Sequence, residues 1–257
     1  MIWLGDILEP AANFSTFFQR ECNKVRDQRN VWLLDYRNQG ESDHHDSYDL
    51  EEMSDDIVRF MDDNKITMAT IGGHGFGAKV ATCTAINHMS RFTGVINLEG
   101  GPVDHRYHEA YLELKEYIQF ANGLNLSKMD LNGALKALDN GIADPKWRSI
   151  FKQNLDTEKM CWKNNMNALD ANTRKNMSDI AIWTQAYGLW PGNALCIFAA
   201  NSRWIHLSTN TLPFYNVFPR LEGKFPGHIN VHADDDHSPM NHWLHQHPEE
   251  HIFSLSN

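Results

Sequence analysis

Short apolar runs separated by stretches of helical spacing fill the first hundred residues. Ile2–Leu4, Val31–Asp35, Met68–Gly72 and Phe92–Leu98 are each bounded by turn residues, the pattern of buried parallel strands. A fifth run, Ala194–Ala199, follows a Pro191-Gly192 break. Between the first two runs, Asn13 to Val25 has helical spacing with Phe14, Phe17 and Phe18 on one side. Between the second and third, Asp49 to Asn64 places Met53, Ile57, Phe60 and Met61 on one face, and its acidic first turn suits the helix dipole. Repeated strand–helix–strand order predicts a mostly parallel sheet, covered on both faces, with right-handed crossovers.

From His105 to about Trp190 the pattern is helical only: Tyr107–Ala121, Lys128–Leu138, Lys146–Asn154 and Met177–Tyr187, with no strand-like run between them. A helical block inserted into such a chain is expected to cap a site at the strand C-termini. One domain over 1–257 follows, with 1–104 and 190–257 as core and 105–189 as the helical cap.

Composition narrows the function classes. The 257 residues suit one α/β domain, and 42% hydrophobic with 22% charged residues is ordinary globular usage. A net charge of −10 argues against a nucleic-acid partner, which needs a basic face. No stretch approaches the roughly 18 apolar residues of a membrane span. The four cysteines are scattered, which fits a reducing compartment. The N-terminus reads as a strand rather than a signal or transit peptide.

The third strand runs into Gly72-Gly73-His74-Gly75-Phe76-Gly77-Ala78-Lys79 and then a small-residue helix. Three readings fit this turn. Gly73-x-Gly75-x-x-Ala78, with Glu99 ending the next strand, matches a dinucleotide-binding fingerprint. Gly73-His74-Gly75-Phe76-Gly77 matches the nucleophile elbow G-x-S-x-G with glycine at the serine position. A tight turn that packs helix on strand also demands glycines.

The surrounding residues decide among them. Asp35-Tyr36-Arg37-Asn38-Gln39-Gly40-Glu41-Ser42 resembles the D-x-R-x-x-G-x-S turn of α/β-hydrolases, and the helix from Asp49 resembles the one before their elbow. Trp162 to Leu169, Ala200 to Trp204 and His242-Trp243-Leu244-His245 are similar to cap, late-strand and catalytic-histidine segments of one branch. That branch holds YbfF-like esterases and mitochondrial abhydrolase-domain proteins. The resemblance runs colinearly from about residue 3 to 250. It implies the α/β-hydrolase fold, and a triad at Gly75, Glu99 and His242, with Ser202 matching a family serine nearby.

Against that pattern the chain departs twice. Gly75 has no side chain to attack with, a loss on the order of 10⁶ in turnover for a working triad. The family's H-G after the first strand is here Leu4-Gly5-Asp6, and a carboxylate beside a developing oxyanion opposes it. Glu99 stands where the branch carries aspartate. The expectation is therefore a catalytically inactive protein, serving as a structural or accessory subunit of a complex, mitochondrial by resemblance or otherwise cytoplasmic. The alternatives are a ligand-binding module in the former acyl pocket, or a residual esterase or thioesterase using His242 and Glu99 as a general base.

No cofactor and no metal are expected. The late histidines His228, His232, His237, His242, His245, His247 and His251 lack regular helical pairing and read as a solvated segment, as does Asp43-His44-His45-Asp46. Cys83 is expected to point into the core. Trp147, Trp162, Trp183, Trp190 and Trp204 belong in or beside the cap, and Phe214–His237 reads as an inserted loop. A sheet that begins at Ile2 would keep an open edge near the N-terminus, which other protein subunits would cover.

Overall fold

Alternation along the strands sorts their side chains onto two faces. In β1 (Ile2–Leu4), Ile2 and Leu4 enter one apolar cluster and Trp3 the other. In β4 (Phe92–Leu98), Val95 and Ile96 divide the same way. The computed structural model describes residues 1–20, 30–100, 109–173, 189–199, 202–204 and 229–231. With β2 (Trp32–Leu34), β3 (Ala69–His74), β7 (Asn193–Ala199) and β8 (Ile229–Val231), these strands form a six-stranded sheet in the order β2-β1-β3-β4-β7-β8. Every pairing is parallel, as the alternation predicts. β1 is bonded on both sides, with β2 outside it, so the strand that opens the chain is interior to the sheet.

Helices cover both faces. α1 (Ser15–Arg20) sets Phe17 and Phe18 beside Trp3, in edge-on ring contact at 5.4 Å for Phe18. On the opposite face, α2 (Leu50–Asp63) buries Met53, Ile57 and Met61, and Asp49 caps its N-terminus by accepting the Glu51 N–H. α3 (Gly75–Asn87) is buried along its whole length to Ile86, which its small apolar sequence permits.

The Asp35 to Ser42 turn ties these layers together. Asp35 accepts the Ala11 N–H at 2.8 Å and the Glu41 N–H, while Arg37 reaches Asp56 and Glu52 on α2. Gly40 adopts φ +50°, and any Cβ there would overlap the Asp35 carboxylate.

The cap comprises α4 (Glu109–Asn122), α5 (Leu131–Gly141), α6 (Pro145–Gln153) and α7 (Met166–Asn172). Asp144 caps α6 by accepting the Lys146 and Trp147 N–H groups, with Pro145 in the first turn. Two features differ from the predicted cap. An antiparallel ribbon of β5 (Leu155–Asp156) and β6 (Cys161–Trp162) follows α6, and its strands are too short to show alternation. Its turn is held by Asp156, which accepts the Glu158 and Lys159 N–H groups. α7 also forms where no helix is predicted. In the core, β8 adds a strand inside the segment read as a loop, Phe214–His237. The helix predicted at Met177–Tyr187 lies outside the described residues.

Cap and sheet share one apolar cluster, in which Tyr111, Leu114, Trp147 and Phe151 join Ile2 and Leu4. Polar ties align them as well. The Asn154 side chain donates to the Leu8 carbonyl at 2.5 Å, Asn164 donates to Gln39, and the Asn165 N–H donates to the Asn38 carbonyl.

Candidate functional site

β3 delivers His74 and Gly75 to the C-terminal edge of the sheet, where the chain turns into α3. Gly75 has φ +52°, a conformation that costs a side-chain-bearing residue about 1–3 kcal/mol. Gly77 lies against β1's following loop so tightly that a Cβ would stand 2.1 Å from the Gly5 carbonyl oxygen. This close approach brings the loop after β1 onto the first turn of α3.

Asp6 occupies that junction. Its Oδ1 accepts the Ile7 N–H at 2.7 Å and the Phe76 N–H at 2.6 Å. One amide from the residue after the elbow and one from the loop after a neighbouring strand make up an oxyanion hole. Here the oxygen in the hole belongs to the protein. A Cβ on Gly75 would lie 2.1 Å from Oδ1, 2.2 Å from Cγ and 2.4 Å from Oδ2 of Asp6. The carboxylate thus fills the space that a side chain at position 75 would need. Burial raises the Asp6 pKa and Glu9 adds to this, while His74 and the Phe76 N–H oppose it.

His74 is buried and bonds through Nδ1 to Glu9 Oε2 at 2.8 Å. The same Glu9 oxygen accepts the Asp6 N–H. Burial disfavours the imidazolium, but Glu9 first, then Asp6 and Glu99, outweigh it and hold the His74 pKa at about 9. Phe14 packs edge-on against the ring. Asp6, Glu9 and His74 line a cavity of about 450 Å³ whose apolar side includes Ile7, Leu8, Trp147 and Ile150. That volume falls in the usual range for small-molecule sites. Lys146, Asp144 and Arg203 also line it, and Arg203 pairs with Glu113 at 2.8 Å.

Among the residues singled out from sequence, Glu99 and Ser202 meet. The Ser202 hydroxyl donates to Glu99 Oε2 at 2.6 Å, both residues are buried, and Glu99 sits at φ +55° just beyond β4. Gly75 stands at the start of α3, as expected. His242 and the other late histidines lie outside the described residues. Cys83 faces the core, where burial pushes its thiol well up. His44 and His45 are exposed in a surface turn. Among the described residues no cluster of metal-ligating side chains is found, and no helix is long and apolar enough to cross a membrane.

Sequence reasoning noticed Asp6 as an obstacle and passed over Glu9 and His74. Their signal was slight: a histidine inside an otherwise apolar strand end, and two acids within four residues after a buried strand. The dinucleotide alternative fails on charge, because the amide that would meet a pyrophosphate already binds a carboxylate.

Known proteins extend this picture. Residues 12–179 match the family model for the alpha/beta hydrolase fold. The chain is 26% identical over 248 residues to an sn-1-specific diacylglycerol lipase, ABHD11, of Xenopus tropicalis, covering 94% of this chain and 75% of that protein. It is 23% identical over 181 residues to ethanol acetyltransferase 1 of Hanseniaspora uvarum, covering 62% of this chain. That match spans 54% of the acetyltransferase, about half its length. A marine microorganism esterase superimposes with a TM-score of 0.72 at 21% identity, covering 85% of this chain and 82% of that one. The expectation of a catalytically inactive protein is corrected by these matches, since the relatives are named enzymes and point to an enzyme here. With its elbow after β3, its parallel sheet and its inserted cap, the chain belongs to the alpha/beta-hydrolase fold family.

Proposed function

We propose that this chain is a hydrolase of acyl esters or thioesters that works without a seryl nucleophile. One observation carries this: a carboxylate–imidazolium group, the partly buried Asp6 and Glu9 with the buried His74, lines a cavity of about 450 Å³ at the elbow. Such a pair supplies the two roles that acyl hydrolysis needs, a base or nucleophile and a proton donor to the leaving group. His74, raised to about 9, carries its proton at neutral pH and serves as donor. The apolar wall of Ile7, Leu8, Trp147 and Ile150 suits an acyl chain. The names of the relatives, a diacylglycerol lipase and an acetyltransferase, support acyl chemistry in this family branch.

Steady-state assays with a chain-length series of p-nitrophenyl esters and acyl thioesters test the proposal. Turnover that depends on chain length, and shifts its optimum when Trp147→Ala enlarges the wall, is expected. Absence of turnover across the whole series overturns it.

A further inference from the structure

We infer that Asp6 is the nucleophile and that the substrates are acyl thioesters, an assignment that rests on the hydrolase reading above. An oxyanion hole stabilises charge on the one oxygen it holds. Here that oxygen is Oδ1 of Asp6, fixed by the Ile7 and Phe76 amides. The acyl group whose breakdown these amides assist is therefore the carboxyl of Asp6 itself, acylated through Oδ2. The space for this arrangement exists only because residue 75 has no side chain: a Cβ there would overlap the whole carboxylate. Asp6 also lines the cavity, within reach of a bound acyl group.

The steps balance as follows. Oδ2 attacks the thioester carbonyl carbon, the new carbon–oxygen bond forms, and the carbon–sulfur bond breaks. The departing thiolate takes the proton of the His74 imidazolium and leaves as a thiol. Water then adds to Cγ of Asp6, and the negative charge gathers on Oδ1 between the two amides. The Cγ–Oδ2 bond breaks and the product carboxylate departs with the original Oδ2. Of the two protons released by water, one returns to His74 and the other goes to solvent. Asp6 ends as a carboxylate that contains one oxygen from water.

The leaving group sets the substrate class. A carboxylate is a weak nucleophile, and its adduct partitions between expelling the carboxylate again and expelling the other group, which proton donation from His74 assists. A thiolate, with a conjugate-acid pKa of about 8.5, leaves far more easily than an alkoxide near that of water, about 15.7. Thioesters are accordingly favoured over alkyl esters of the same acyl chain.

The full chain is turned over many times on a medium-chain acyl thioester in heavy-oxygen water, and the peptide containing Asp6 is weighed. Incorporation of heavy oxygen at Asp6, absent without substrate, is expected. Asp6→Asn, similar in shape, should keep the melting temperature and lose about 10³-fold or more in turnover. Thioester hydrolysis without label at Asp6 overturns this assignment and leaves the hydrolase reading intact. An Asp6→Asn variant with wild-type turnover overturns it too. Absence of hydrolysis with every ester and thioester instead removes the hydrolase reading, and this one with it.

Discussion

Gly75 and Asp6 are complementary: the carboxylate of one fills the volume that a side chain on the other would need, with Oδ1 only 2.1 Å from an ideal Cβ. Introducing serine at position 75 alone therefore meets two obstacles, the left-handed φ of +52° and the Asp6 carboxylate. Gly75→Ser is expected to destabilise the fold by at least about 1–3 kcal/mol from the backbone alone and to resist fluorophosphonate labelling. Gly75→Ser combined with Asp6→Gly vacates both the hydroxyl's space and the oxyanion hole. Labelling of the double variant at a rate well above the single one is the predicted result. Equal labelling of the two would show that Asp6 does not block the elbow.

His74 gives the stability a distinctive pH dependence. Its folded pKa of about 9 lies above the unfolded value near 6.5, because Glu9, Asp6 and Glu99 favour the imidazolium. A raised histidine contributes stability that is complete below pH 6.5 and is lost as pH rises through about 9. The difference in unfolding free energy between wild type and His74→Asn should shrink over that window. Urea melts at pH 6, 7.5 and 9.5 measure it, and a difference that grows with pH contradicts the assignment.

Ser202 and Glu99 form a second buried pair. Ser202→Ala removes a donor from a carboxylate that is 2% exposed, so a loss of about 1–3 kcal/mol is expected. Chemical denaturation of Ser202→Ala, with Ser202→Thr keeping the hydroxyl, is the check. An alanine variant as stable as wild type would show that Glu99 is satisfied without Ser202.

The cap is positioned by polar side chains as well as by its apolar face. Asn154 donates to the Leu8 carbonyl, in the same loop that carries Asp6 and Glu9. Asn154→Ala should raise KM more than it lowers kcat, because it loosens the cavity wall without touching Asp6 or His74. Steady-state kinetics on an acyl thioester separate the two parameters. A change confined to kcat would instead tie Asn154 to the chemistry.

Much of the fold was legible in the chain because strands buried on both faces and amphipathic helices leave strong periodic signals. Met53, Ile57 and Met61 on α2 and the small residues of α3 illustrate this. The ribbon β5–β6 was not legible, since two-residue strands carry no period. The site was half legible. The elbow stood out by its glycines, and Glu99 and Ser202 by their places in a known pattern. What the pattern hid was which group fills the space beside Gly75. Only the approach of Gly5 to Gly77 brings Asp6 onto the Phe76 amide, and no local sequence signal encodes a contact seventy residues apart. Asp6 was read as a charge opposing catalysis because the expected oxyanion belonged to substrate. In the proposed reaction, with its own oxygen held by the Ile7 and Phe76 amides, the same charge acquires a role.

The most direct test of a hydrolase that acts without a seryl nucleophile is thioester turnover by the wild-type chain after exposure to excess fluorophosphonate. The account predicts turnover at the untreated rate and no covalent label on the protein. Loss of turnover in step with stoichiometric labelling of a serine would contradict it.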